Sequence, residues 1–68
     1  MRYAIVIEKA NGNYSAHVPD LPGCVATGKT PADVRRELLK TIRFHLDGLR
    51  EDGLPVPRAA TKTEYVEV

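Results

Sequence analysis

Tyr14-Ser15-Ala16-His17-Val18-Pro19-Asp20-Leu21-Pro22-Gly23-Cys24-Val25-Ala26-Thr27-Gly28-Lys29-Thr30 decides the fold. It reads as a strand, a stiff corner, a second strand and the start of a helix. Tyr14, Ala16 and Val18 alternate with Ser15 and His17, the period of a strand with one buried face. Pro19 and Pro22 each fix φ and remove a donor, so neither fits a central ladder. Leu21 precedes a proline and is driven extended, and Gly23 is free to take a positive φ. The chain therefore turns here in one defined shape, expected to present Asp20 and Leu21 outward as a contact point.

Upstream, Arg2 to Lys9 reads as a strand, with Tyr3, Ile5 and Ile7 on one face and Ala4 and Val6 on the other. Apolar residues on both faces predict a central strand. Asn11-Gly12 predicts a tight hairpin of type I′ into a strand over Asn13 to Val18. A short strand is expected near Cys24 to Thr27. Downstream, Thr30 is a good helix N-cap, Pro31 fits the first helical position, and Asp33 lies where the dipole is positive. The helix is expected to reach about Asp52 and stop at Gly53, with Pro55 and Pro57 beyond. At about 100° per residue, Val34, Leu38, Ile42, His45 and Leu49 form one stripe flanked by Leu39 and Leu46. That stripe should lie on the sheet. Thr63 to Val68 reads as a last strand. A right-handed crossover would set it parallel to the first, in the order 3-2-1-4. The fold class is α+β: β-β-β-α-β, an antiparallel three-stranded sheet plus a parallel edge strand, with one helix on one face.

The 68 residues make a single domain, residues 1–68. A chain this short buries only about 60% of its unfolded surface and gains from a partner or from self-association. A net charge of +1 argues against a general nucleic-acid binder. One cysteine, Cys24, excludes an internal disulfide and fits a reducing cytosol. The longest apolar run, Ala4 to Ile7, is too short for a signal sequence or a membrane span. A small cytoplasmic protein is expected.

No catalytic, cofactor or metal site is expected. His17, His45 and Cys24 have no ligand spacing between them, and there is no Gly-rich phosphate loop. His45 reads as a histidine at the core edge, His17 as solvated, Cys24 as a small buried hydrophobe. The predicted element order resembles part of a ribonuclease H fold, so its carboxylates bear on a metal nuclease. Glu8, Glu37, Glu64 and Glu67 do not obviously converge as a two-metal site requires. Phe44 is sharper: it projects roughly 140° from the stripe centre, beside Glu37 and Glu51. A ring there is either an ordinary exposed residue or an interface anchor. Arg36, Arg43 and Arg50 recur on one flank. They read as a solvated face, with weak pairs such as Arg43–Asp47 worth about 0.3 kcal/mol, or as a charged contact surface. One helix covers only one sheet face and leaves open edges, so a homo-dimer or larger assembly is expected.

The ordered set of motifs resembles the HicB antitoxin family along nearly the whole chain. The matching residues are Asn11-Gly12 then Tyr14, the Pro19-to-Cys24 corner, Gly28-Lys29-Thr30, and His45 through Pro57. The resemblance implies a partial ribonuclease-H-like domain that binds and neutralises HicA, a small toxin that cleaves messenger RNA. Many members carry an added DNA-binding domain. This chain resembles a short form without one, so no direct nucleic-acid contact is expected. On this reading Asp20, Leu21, Phe44, Arg36 and Arg43 contact the partner, and occlusion is the mechanism. The alternatives are a self-assembling regulatory or structural module, or a residual metal nuclease.

Overall fold

The computed structural model describes residues 1–68. Three strands, β1 (Val6–Ala10), β2 (Asn13–His17) and β3 (Val25–Gly28), form an antiparallel sheet in the order β1-β2-β3. One helix, α1 (Pro31–Glu51), packs on it, chiefly over β3 and β2. The register pairs Val6 with His17, Ile7 with Ala16, and Ala16 with Ala26. Tyr3, Ile5, Ile7, Tyr14, Ala16, Val18 and Ala26 therefore share the face toward the helix. Ala16 and Val18 belong to a buried core with Leu21, Cys24, Val34, Leu38 and Leu46, and Tyr3, Ile5, Ile7, Tyr14 and Ala26 pack against it.

The helix begins and ends as its sequence dictates. Thr30 is extended, and its hydroxyl accepts the Asp33 N–H at 3.0 Å. At the far end the Leu54 N–H donates to the Leu49 carbonyl at 2.9 Å, and the Gly53 N–H to Arg50 at 3.1 Å. That double bond pattern, with Gly53 at φ 68, terminates a helix before a change of direction. A helix of 21 residues is about 31 Å long, while a five-residue strand spans about 17 Å. The helix therefore overhangs the sheet. Val34, Leu38 and Leu46 of the stripe are buried, while Ile42, His45 and Leu49 are only half-buried.

Four expectations need correction. The first strand begins at Val6, not Arg2, because β2 ends at His17 and the chain turns away at Pro19, leaving residues 2–5 without a ladder partner. The hairpin turn has a positive φ at Gly12 alone, so it is not type I′, which needs both central residues there. Thr63–Val68 forms no strand and lies exposed. Without it β1 is an edge strand, and β2 is the central one. Finally, Leu21 is not presented outward but is fully buried.

Two consecutive turns bury Leu21. The Val18 carbonyl accepts the Leu21 N–H at 3.0 Å, with Pro19 second in the turn. The Leu21 carbonyl then accepts the Cys24 N–H at 3.1 Å, with Pro22 second and Gly23 third at φ 89. Proline then a residue at positive φ is the type II pattern, and glycine is the residue that enters it without strain. Leu21 sits at the junction of the two turns, where its side chain is driven under the sheet's end.

Candidate functional site

The corner's other outward candidate, Asp20, is engaged with its own chain. Its carboxylate accepts the Ala60 and Thr61 N–H groups, both at 3.1 Å, and the Thr61 hydroxyl at 2.8 Å. These bonds, the Thr61 amide foremost, hold the carboxyl below the usual aspartate range. Asp20 is thus a clamp that ties the returning connector to the corner, 40 residues away in sequence. The Tyr3 hydroxyl adds a second tie, donating to the Pro57 carbonyl at 2.5 Å.

The clamp has a pH signature. A carboxyl whose folded pKa is depressed contributes stability that is complete above the ordinary aspartate value of about 4 and is lost as pH falls through the lower folded value. Asp20→Asn should therefore accelerate amide exchange at Ala60 and Thr61 at neutral pH and leave the core amides protected. The parent protein should show the same local release only on acidification below that range. Unchanged exchange at both amides in the variant would refute the clamp.

The solvent face of α1 holds the other candidates. Phe44 is 83% exposed, as its projection requires. Arg43 stands beside it in sequence and makes no ion pair; the expected Arg43–Asp47 pair is replaced by Arg50–Asp47 at 3.5 Å. Arg36 is held at 2.6 Å by Asp33, whose carboxyl the guanidinium and the Thr30 hydroxyl hold below the usual range. Glu37 pairs with Lys40 at 3.3 Å. The ring of Phe44, the guanidinium of Arg43 and the carboxylate of Glu51 are unpaired within the chain and so are groups on this face with unspent binding capacity, and Arg36 has part of its own already used.

On the uncovered sheet face Val6, His17 and Val25 form one cross-strand row, and Glu8, Ser15 and Thr27 the next. Val25 is 63% exposed. The carboxylates lie apart: Glu8 on this face, Glu37 on the helix, Glu64 and Glu67 in the exposed tail. No group of three or more His, Cys, Asp or Glu side chains is placed to hold a metal. Burial pushes the Cys24 thiol above its ordinary value. No helix is long and apolar enough to cross a membrane.

Sequence reasoning missed the Asp20 clamp because its partners are remote, and no local pattern encodes them. Leu21 did carry a signal: a large aliphatic side chain within a polar turn is more often core than surface.

Comparison with known proteins places these features in a wider set. A family model described as the HicB-like antitoxin of bacterial toxin–antitoxin systems matches residues 3–67. A UPF0150 protein of Thermoplasma acidophilum is 34% identical over 59 residues, 85% of this chain and 86% of that one. A UPF0150 protein of Helicobacter pylori is 41% identical over 49 residues, 72% of this chain and 68% of that one. An uncharacterized 14.9 kDa protein from the rep-hol intergenic region of Haemophilus phage HP1 is 36% identical over 66 residues, 97% of this chain. The chain spans about half, 50%, of the phage protein's length. No solved structure matches.

Proposed function

We propose, because the chain belongs to the HicB-like antitoxins of bacterial toxin–antitoxin systems, that it neutralises a HicA-type messenger-RNA-cleaving toxin by binding and covering it. The observation that supports a binding role is the outer face of α1: an 83% exposed phenylalanine beside an unpaired arginine, on a rigid helix. Aromatic and arginine side chains dominate interface energetics once desolvated, and a helix presents them on a backbone that is already ordered. Phe44 is the anchor, Arg43 the charged contact and Arg36 a peripheral one. Leu21 acts from inside, holding the corner's shape. The chain acts as a cytoplasmic, non-enzymatic binder, without cofactor, metal or direct nucleic-acid contact.

The test uses a purified HicA-type toxin. RNA cleavage should stop at about one equivalent, without added metal and without RNA cutting by the antitoxin alone. Phe44→Ala should weaken binding by about 30-fold, the scale of a hot spot worth about 2 kcal/mol, with unchanged thermal stability. Full toxin activity at excess protein would favour the self-assembling module. Full inhibition by Phe44→Ala at unchanged affinity would move the contact off this helix face.

A further inference from the structure

The charge order of α1 runs against its own dipole. A helix favours acidic side chains at its start and basic ones at its end. Asp33 in the first turn and Arg50 in the last obey that rule. Apart from Glu37, the remaining charges reverse it. Arg35, Arg36, Lys40 and Arg43 fill the first two thirds of the helix, and Asp47 and Glu51 its end, all of them exposed. The helix's own electrostatics give no reason for this order. A second helix running the opposite way does.

A twofold axis between Arg43 and Phe44 sets Arg36 of one copy against Glu51 of the other and Lys40 against Asp47, each twice. At about 100° per residue these four side chains and Phe44 fall within an arc of about 80° on the outer face. The two Phe44 rings, 83% exposed in the single chain, then meet near the axis. Glu51 makes no ion pair of its own, and Arg36 holds Asp33 through one nitrogen only, leaving donors of its fork free. Arg43 stands about 100° round from Phe44, at the rim, where water screens it from its counterpart. Gly48, one turn beyond Phe44, adds no bulk beside the ring. Other arrangements are worse. An axis through Phe44 itself puts Glu37 against Glu51, and a parallel copy sets every charge against its own kind.

We propose that α1 pairs antiparallel with α1 of a second copy through the Phe44 face, so that this pairing and toxin binding exclude each other. The exclusion rests on the toxin reading above; the pairing does not. The contact is isologous, each patch meeting its own copy, and therefore closes at two chains. Exposed ion pairs around one aromatic contact are weak. Pairing therefore sets in at about 0.1 mM, and melts at micromolar concentration report the single helix face. Surplus protein is stored with its toxin-binding face covered, and dilution or toxin releases it.

Oxidation of mixed Lys40→Cys and Asp47→Cys variants of the full chain, at about 0.1 mM, tests the pairing. Cys24 does not compete, because it is buried and its thiol is pushed up. Lys40 faces Asp47 of the other copy, whereas like positions lie about 10 Å apart along the axis, beyond disulfide reach. The mixture should therefore give the mixed disulfide at about tenfold the yield of either variant with itself. Phe44→Ala in both backgrounds should lower that yield about tenfold with unchanged helical circular dichroism. Excess purified HicA-type toxin should suppress it. Equal yields of like and unlike disulfides overturn the pairing. A yield that Phe44→Ala leaves unchanged takes the contact off this face and overturns it as well. A toxin that binds without lowering the yield overturns the exclusion and moves the toxin site elsewhere, while the pairing stands.

Discussion

Leu21→Ala should lower the melting temperature by about 8 °C or more, although Leu21 sits in a loop that reads as a surface corner. The side chain is fully buried, as is that of Leu38. Truncating a buried leucine costs about 2–5 kcal/mol through lost transfer energy and the cavity left behind. Each kcal/mol corresponds to about 4–8 °C in a domain of this size. Total stability at this length is about 3–10 kcal/mol, so Leu21→Ala and Leu38→Ala each remove a large share of it. Phe44→Ala should cost almost nothing, since its ring already lies in water. Thermal melts of the three variants at one protein concentration make the comparison, because any self-association makes melting concentration-dependent. A Leu21→Ala melt that coincides with that of Phe44→Ala would overturn the burial of the corner.

Gly28→Ala and Gly48→Ala should move stability in opposite directions. Gly28 ends β3 where the chain passes under the start of α1. A methyl group there would lie 2.7 Å from the Val34 backbone nitrogen and 3.1 Å from two Asp33 carbons. The nearest atoms belong to backbone in the first turn of the helix, so helix and strand must separate. Overpacking of this kind costs about 1–3 kcal/mol. Gly48 lies inside α1 with open space where its methyl would go. Alanine there restores helix propensity and should add up to about 1 kcal/mol. Denaturant titrations of both variants decide the matter. Equal shifts of the same sign would mean that the close approach at Gly28 is absent.

The legible parts of this fold were those encoded by neighbours in sequence. The Thr30 cap, the stop at Gly53 and the Ala16–Val18 alternation are local patterns, and each was realised where expected. The off-stripe position of Phe44 followed from periodicity alone. The illegible parts depend on remote partners. Asp20 looked like a free carboxylate because its donors are Ala60 and Thr61. Strand propensity in Thr63–Val68 could be read, but not whether an edge in the same chain would take it up. The extent of β1 depended on where β2 bends away, a property of Pro19 rather than of Arg2 to Ile5.

The main packing partner of each element is adjacent or next but one in the chain: β1 on β2, β2 on β3, and α1 on β3 and β2. The sheet therefore closes by joining chain neighbours, a wiring that favours faster folding than remote strand pairing does. The steps that span the sequence, Tyr3 to Pro57 and Asp20 to Ala60 and Thr61, involve no core residue. They can latch only after the sheet and helix stand.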